Sequence, residues 1–361
     1  MKNNSLFFAT DKNIYDALHH KRITTAMLNE ILLRKGIIVS SELTKEEMIS
    51  EVCRLPHCYL DLQEIKEKVQ SYDSNRESTT KVTLKTETDQ TELKKVIDDV
   101  KKIYSKEKNG TINIKTNKDG KLSLELNYQD IDLSKTELRQ IENKSIDIDF
   151  EIKSDAIDVR MPQNAKAKAA IDLIQQRLSK QQDKDVSRFE ISLEAIPEPK
   201  YRSKFFQDLM HGLKGYEIDD VTNIVLNREN LKSEEDEEEK IETGFVKKAV
   251  LNGEGVNTSS IFSDLHNKGY YISRVAWSAI PINRIGDRIN IEVFFNNADN
   301  CNDFSYQIRS INNKKSDGNY NITGRKPTEI EKKEISKIIE DAAENAYNII
   351  KTIGDNQNEK I

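Results

Sequence analysis

Between Tyr104 and Thr111 the hydrophobic period of the chain changes from 3.6 to 2, and this change restricts the fold class more than any other feature. From Thr91 to Lys106, the residues Leu93, Val96, Ile97, Val100, Ile103 and Tyr104 recur at the spacing of one helix face. Lys94, Lys95, Lys101 and Lys102 fall off that stripe and read as a solvated lysine face, or as a phosphate-facing one. After Asn109-Gly110, "TINIKT" and "KLSLELNY" alternate apolar with polar, and Asp119-Gly120 between them supplies the positive φ of a hairpin turn. An amphipathic helix running straight into a hairpin predicts an α+β fold with antiparallel sheet.

The same two periods organise the remainder. "SIDIDFEIKSDAIDVRM" predicts one or two further strands ended by Pro162, and "NAKAKAAIDLIQQRLSK" a helix with Asn164 as N-cap. "VSRFEISLEAI" predicts another strand, "PKYRSKFFQDLMHGLKG" a helix and "DVTNIVLN" a strand. "GFVKKAVLNGEGVNTSSIFSDLHNKG" predicts two short helices, followed by three antiparallel strands in "YYISRVAWSAIPI", "DRINIEVFFNN" and "DFSYQIRSI". The last helix opens with a Thr328/Glu331 capping box and carries Ile330, Ile335, Ile338, Ala342, Ala346 and Ile349 on one face. By contrast "DSNRESTTKVTLKTETDQ" (73–90) reads as a linker, being too polar to offset the cost of ordering it.

The expected organisation is therefore a helical module at 1–72, a linker and amphipathic helix at 73–106, and an α+β domain at 107–197. A connector with an acidic loop follows at 198–243, then a C-terminal α+β domain at 244–354. The acidic block "SEEDEEEKIE" (233–242) reads as a self-repelling solvated loop, or as a nucleic-acid mimic or cover for a basic patch.

Charge narrows the function classes. Lys and Arg number 56 against 62 Asp and Glu, a formal net charge of −6, so any nucleic-acid contact must come from a local basic patch. No apolar run approaches the ~20 residues that span a bilayer, so no membrane partner is expected. "MKNNSLFFATDKN" has only a three-residue apolar stretch before Asp11, too short for a signal-peptide core. Three cysteines (Cys53, Cys58, Cys301) form no disulfide framework, and a reducing cytoplasm is the expected compartment. Abundant Lys, Asn and Ile is the composition of AT-rich coding, consistent with a bacterial or phage-borne accessory or antiviral-defence factor.

The most organised local pattern is "ITTAMLNEILLRKGIIVSSELTKEEMISEVCRL" (23–55). Leu28, Leu32 and Gly36 are spaced by four, Ile37 follows, and Met48, Ile49 and Val52 form the apolar face of a second helix. This resembles the SAP-type helix–extended loop–helix, whose members bind double-stranded DNA through the loop and the start of the second helix. The resemblance implies phosphate contacts from Arg34, Lys35 and Lys45, with Ser40, Ser41 and Thr44 as hydroxyl donors. Physically, Gly36 permits a left-handed turn, and the amides opening the second helix carry partial positive charge. The loop is two residues longer than the family's, "SSELT" replaces its Ser-Gly-Lys run, and Glu46 and Glu47 begin the second helix. The same pattern also suits a helical hairpin used for packing or for docking a partner protein.

Other constellations are weaker in kind. "CRLPHC" brings Cys53, His57 and Cys58 together, but a structural zinc site needs four ligands in recognisable pairs, and buried thiols beside a proline turn are the reading preferred. "DIDFEIKSD" puts Asp147, Asp149, Glu151 and Lys153 on one strand face. With an earlier carboxylate such as Asp130 or Asp132, this resembles the PD-(D/E)xK nucleases, implying Asp149 and Glu151 as Mg²⁺ ligands and Lys153 as aid to the attacking water. "NGEG" (252–255) has the shape of a phosphate cradle but holds Glu254, and Tyr270, Tyr271, Trp277 and Phe294 read as core or as a base-stacking platform. The function expected is non-enzymatic binding of duplex DNA through the N-terminal module, without cofactor, the body of the chain serving oligomerisation or a partner protein. A protein-interaction adaptor and a Mg²⁺-dependent nuclease are the alternatives.

Overall fold

The computed structural model of the protein describes residues 9–70, 77–107, 110–116, 121–228 and 246–358. The chain runs through α1 (Asp11–Leu18), α2 (Thr25–Arg34), α3 (Lys45–Arg54), α4 (Tyr59–Gln70), β1 (Thr79–Lys85) and α5 (Gln90–Glu107). Then come β2 (Gly110–Thr116), β3 (Leu122–Ile131), β4 (Ile141–Ile152), β5 (Ala156–Pro162), α6 (Ala165–Gln182) and β6 (Ser187–Phe189). The remainder is α7 (Pro199–His211), β7 (Tyr216–Asn227), β8 (Lys248–Asn252), α8 (Ser260–Asn267) and β9 (Tyr271–Pro281), then β10 (Arg288–Asn297), β11 (Asn302–Asn312) and α9 (Glu329–Asn358). The strand pairings are antiparallel, and with the helices they make an α+β fold. No described helix is long and apolar enough to cross a membrane.

Two compact units divide the chain: Met1–Ser74 with Lys94–Ile148, and Asn75–Leu93 with Asp149–Ile361. In unit 1, side-chain caps start three of the four N-terminal helices. Thr10 and Asn13 form a capping box on α1, Thr24 caps α2, and Thr44 and Glu47 form a second box on α3. Gly36 follows α2 at φ +77°, the left-handed conformation that stops the helix. Their apolar faces meet in one core that includes Leu18, Leu28, Leu32, Ile49, Val52 and Ile65. Leu138, from the 3₁₀ turn Glu137–Arg139 between β3 and β4, inserts into the same core. Gln70 Nε2 donates to the Leu138 carbonyl at 2.9 Å, and Asn13 Nδ2 to Glu137 Oε2 at 3.0 Å, so this turn is fastened to α4 and α1. β2 and β3 form the expected hairpin, and its Asp119-Gly120 turn lies outside the described residues.

Unit 2 is a sheet in the order β5-β1-β11-β10-β9-β7-β8, with the last residues of β4 on β5 and the short β6 beside β1. α7 and α9 pack in its core with Phe205, Phe206, Trp277, Ile339, Ala342 and Ala346 buried. The expected linker at 73–90 is corrected here. Residues Thr79–Lys85 form an interior strand, with Val82 opposite Val159 and Thr79 opposite Tyr306. Thr80, Val82 and Leu84 point inwards, and the Thr80 hydroxyl donates to the Phe304 carbonyl at 2.8 Å. Hydroxyls that find carbonyl partners let a polar segment be buried, which hydropathy alone does not register.

Four further expectations change. Residues 248–267 hold β8, a 3₁₀ turn and α8 instead of two helices. The strand expected in 186–196 is shortened to Ser187–Phe189, and α7 and β7, expected as connector, supply core residues of unit 2. On α9 the buried stripe is Ile335, Ile339, Ala342, Ala343, Ala346 and Ile350, whereas Ile330 and Ile349 are exposed. The acidic block 233–242 lies outside the described residues.

Candidate nucleic-acid interface

The α2–extended segment–α3 geometry places the six expected contact residues unequally. Arg34 Nη2 lies 2.6 Å from Glu64 Oε2 on α4. Lys35 Nζ lies 2.6 Å from Asp61 Oδ2 and donates to the Pro56 carbonyl at 2.9 Å. The hydrogen bond from Lys35 pulls the Asp61 carboxyl down to about 2, against the opposing effect of burial. Both cations thus tie the end of α2 to the start of α4 and are neutralised there. Ser40 Oγ accepts from the Glu42 amide at 3.2 Å, and Thr44 is committed to its capping box with Glu47. Ser41 is exposed. Of the three expected cations, only Lys45 has no ion-pair partner among the described residues.

Lys45 belongs to a different grouping, which the SAP pattern does not contain. The His20 imidazole, at the end of α1, is lowered to about 4, first by burial and then by the charges of Arg139, Arg22, Lys21 and Lys45. These four cations come from three stretches of chain: the turn after α1, the first residue of α3, and the 3₁₀ turn that docks on α1. The Arg22 amide donates to His20 Nδ1 at 3.4 Å, which uses that nitrogen as an acceptor and fits a neutral ring. Lys21, Lys45 and Arg139 make no ion pair among the described residues. Carboxylates are nearby: Glu46 Oε2 lies 3.5 Å from His19 Nε2, Glu47 closes the capping box, and Glu137 holds Asn13. Three acids near the cluster are therefore already engaged. The run "HHKR" (19–22) carries half of this cluster in plain view, but nothing local to Arg139 signals that it joins.

The nuclease residues sit in unit 2 in another role. Lys153 Nζ is 2.7 Å from Asp158 Oδ2, and Lys81 Nζ reaches the same oxygen at 2.9 Å. Thr83 Oγ1 donates to Asp158 Oδ1 at 2.7 Å. Burial works to raise the Asp158 carboxyl, but the hydrogen bonds of Lys153, Lys81 and Thr83 outweigh it and hold it below the usual range. Register puts Glu151 opposite Asp158 and Asp149 opposite Arg160, and Arg160 is held by two 2.6 Å bonds to Glu340. Lys153 is thereby neutralised within an ion network. Among the described residues no three His, Cys, Asp or Glu side chains form a group that could hold a metal ion.

The remaining motifs have local duties. Cys53 Sγ donates to the Ser50 carbonyl at 3.3 Å, His57 Nε2 lies 2.8 Å from the Val52 carbonyl, and Cys58 is exposed. The Gly255 amide, in the "NGEG" turn, donates to Asp220 at 2.7 Å and so faces a carboxylate instead of a phosphate. Tyr270, Tyr271, Trp277 and Phe294 are buried and offer no stacking platform. In comparison with known proteins, no family model matches the chain and no curated protein matches it.

Proposed function

We propose that the protein binds double-stranded DNA without acting on it chemically, through Lys21, Arg22, Lys45 and Arg139 on unit 1. The observation that carries this reading is the convergence of these four cations around a neutral His20. Such a grouping raises the local potential of a chain whose net charge is −6, and phosphate is a ligand that relieves it. Arg34 and Lys35 are supporting residues on this reading, since their charges are engaged by Glu64 and Asp61. The amides opening α3, next to Lys45, add to the same field.

Four phosphate contacts would give a log–log salt slope of roughly −3 to −4, so affinity should fall about a hundredfold between 50 and 200 mM salt. Fluorescence anisotropy with a labelled duplex checks this. Lys45→Ala and Arg139→Ala should each flatten the slope by about one, while Arg34→Ala leaves it nearly unchanged. Absence of binding at low salt, or binding that ignores salt, overturns the reading.

A second reading, a protein-interaction adaptor, has its own observation. Leu33, Ile38, Tyr59 and Leu60 are exposed on the segments that the Lys35–Asp61 and Arg34–Glu64 pairs fasten together. Exposed apolar side chains gathered on braced segments suit a protein partner. Ile38→Asp with Leu60→Asp should leave DNA affinity intact if the cation cluster is the DNA face. A loss as large as that of Arg139→Ala would place the contact on this surface instead.

A further inference from the structure

One end of unit 2 displays isoleucines that none of the described residues covers. Ile282 and Ile285, in the turn between β9 and β10, are 60% and 77% exposed, and Ile322, in the loop between β11 and α9, is 95% exposed. Single exposed apolar residues are ordinary; three on two joined loops are not.

The two loops are braced. The Lys314 amide donates to Asp287 Oδ1 at 2.9 Å, and Arg325 bridges Asp287 at 3.1 Å and Glu331 at 2.6 Å. The Arg288 guanidinium stacks over the Tyr320 ring at 5.3 Å, and Asn312 Nδ2 donates to the Asn321 carbonyl at 2.8 Å. Gly324 lies so close to β11 that a Cβ there would come within 2.7 Å of the Ser310 side chain. Arg284, next to Ile285, adopts φ +58°, a conformation that costs energy for a non-glycine residue, and Gly286 on the other side adopts φ +119°. A rigid apolar display loses little entropy on docking.

The charges around the isoleucines choose among occupants. Arg284 pairs with Glu217 at 2.5 Å and Arg288 with Asp219 at 3.3 Å, whereas Lys314, whose Nζ donates to the Arg284 carbonyl, enters no ion pair among the described residues. Lys315 and Lys333, together with Asp317 and Glu329, enter no ion pair among the described residues, so the rim carries both signs. An anionic lipid surface or a strongly acidic partner would be repelled by half of such a rim. An identical face related by a two-fold axis can set each sign against its opposite, as an isologous contact requires.

We propose that this end of unit 2 is where a second copy of the chain docks, with Ile282, Ile285 and Ile322 at the centre of the contact. The inference does not depend on the DNA reading. Sedimentation velocity of the full chain at micromolar concentration should give a mass twice that of one chain. Ile285→Asp with Ile322→Asp should weaken self-association at least tenfold without changing the far-UV circular dichroism. A wild type that stays monomeric at about 100 µM, or a folded double variant that dimerises like wild type, overturns the proposal. Should the double variant fail to fold, hydrogen exchange of the wild type decides. Amides of residues 282–286 and 321–324 should gain protection as concentration rises, and flat protection in both loops overturns the proposal equally.

Discussion

Unit 1 and unit 2 draw on the same charged composition but place their charges at different depths. In unit 2, Arg160 holds Glu340 through two 2.6 Å bonds, Tyr306 adds a third at 2.5 Å, and the Glu340 side chain is 5% exposed. Lys81 sits between Asp158 and Glu344 at 2.9 and 2.5 Å, binding α9 to β1 and β5. In unit 1, the Arg34–Glu64 pair is 49% and 32% exposed, and Lys21, Lys45 and Arg139 have no acid partner among the described residues. Buried ions must be matched because water no longer screens them, whereas surface ions are free to meet a ligand. Depth, more than residue type, separates charges that hold the fold from charges available for recognition.

That contrast is easiest to break at Glu340. Glu340→Ala would leave the half-buried Arg160 without its carboxylate and should cost about 3 kcal/mol, the low end for a buried pair. Urea unfolding followed by Trp277, the single tryptophan and a core residue of unit 2, measures it. Exchanging the pair together, Arg160→Met with Glu340→Leu, should recover most of the loss. A Glu340→Ala change under about 1 kcal/mol would show that the network is not a structural clamp.

A smaller effect is expected in acid. The Asp61 carboxyl, held at about 2 by Lys35, contributes stability that is complete above its unfolded value near 4. That contribution is lost as pH falls through about 2, because the unfolded state takes up the proton first. Asp61→Asn should remove this part of the acid sensitivity from the circular-dichroism transition. An acid limb of the same depth in Asp61→Asn would show that other carboxylates carry it.

The gentlest test sharpens the comparison. His20, lowered to about 4, is neutral at pH 7, and its contribution to stability is lost as pH falls from about 6.5 through about 4. An NMR titration of its ring should move up towards the ordinary value in Lys45→Ala with Arg139→Ala. Saturating duplex DNA should move it the same way if phosphates settle among the four cations. A titration midpoint that responds to neither would separate His20 from the cluster.

Where short-range pattern decides, the residues were readable. The α5 stripe is buried at Leu93, Val96, Ile97, Val100 and Tyr104, Asn164 caps α6, and Thr328 and Glu331 form the expected capping box. β1 was hidden because its inward positions include Thr80 and its partners lie in distant strands. The partners of the candidate-site residues were hidden for a related reason. Spacing around Gly36 describes two helices and a loop, but Glu64 lies 30 residues beyond Arg34 and Asp61 lies 26 beyond Lys35. Arg139 reaches the cluster only because Leu138 is anchored in the helical core. Propensity encodes the elements, while tertiary pairing determines which charges remain available.

The interior position of β1 sets a timetable for synthesis. Its hydrogen-bond partner Phe304 lies 224 residues after Thr80, and Glu344 lies 263 after Lys81. At roughly 5–20 residues per second, a ribosome needs about 11–45 s to deliver the first of these. β5 covers one edge of β1 and β6 takes Thr83–Lys85 on the other, but the Thr79 end of that second edge, which pairs with Tyr306 of β11, stays open for most of that interval. An apolar strand waiting so long would recruit neighbouring chains, and "TTKVTLK" carries two lysines and three threonines instead. The polarity that makes this strand look like a tether also lowers the tendency of a nascent chain to aggregate before its partner emerges.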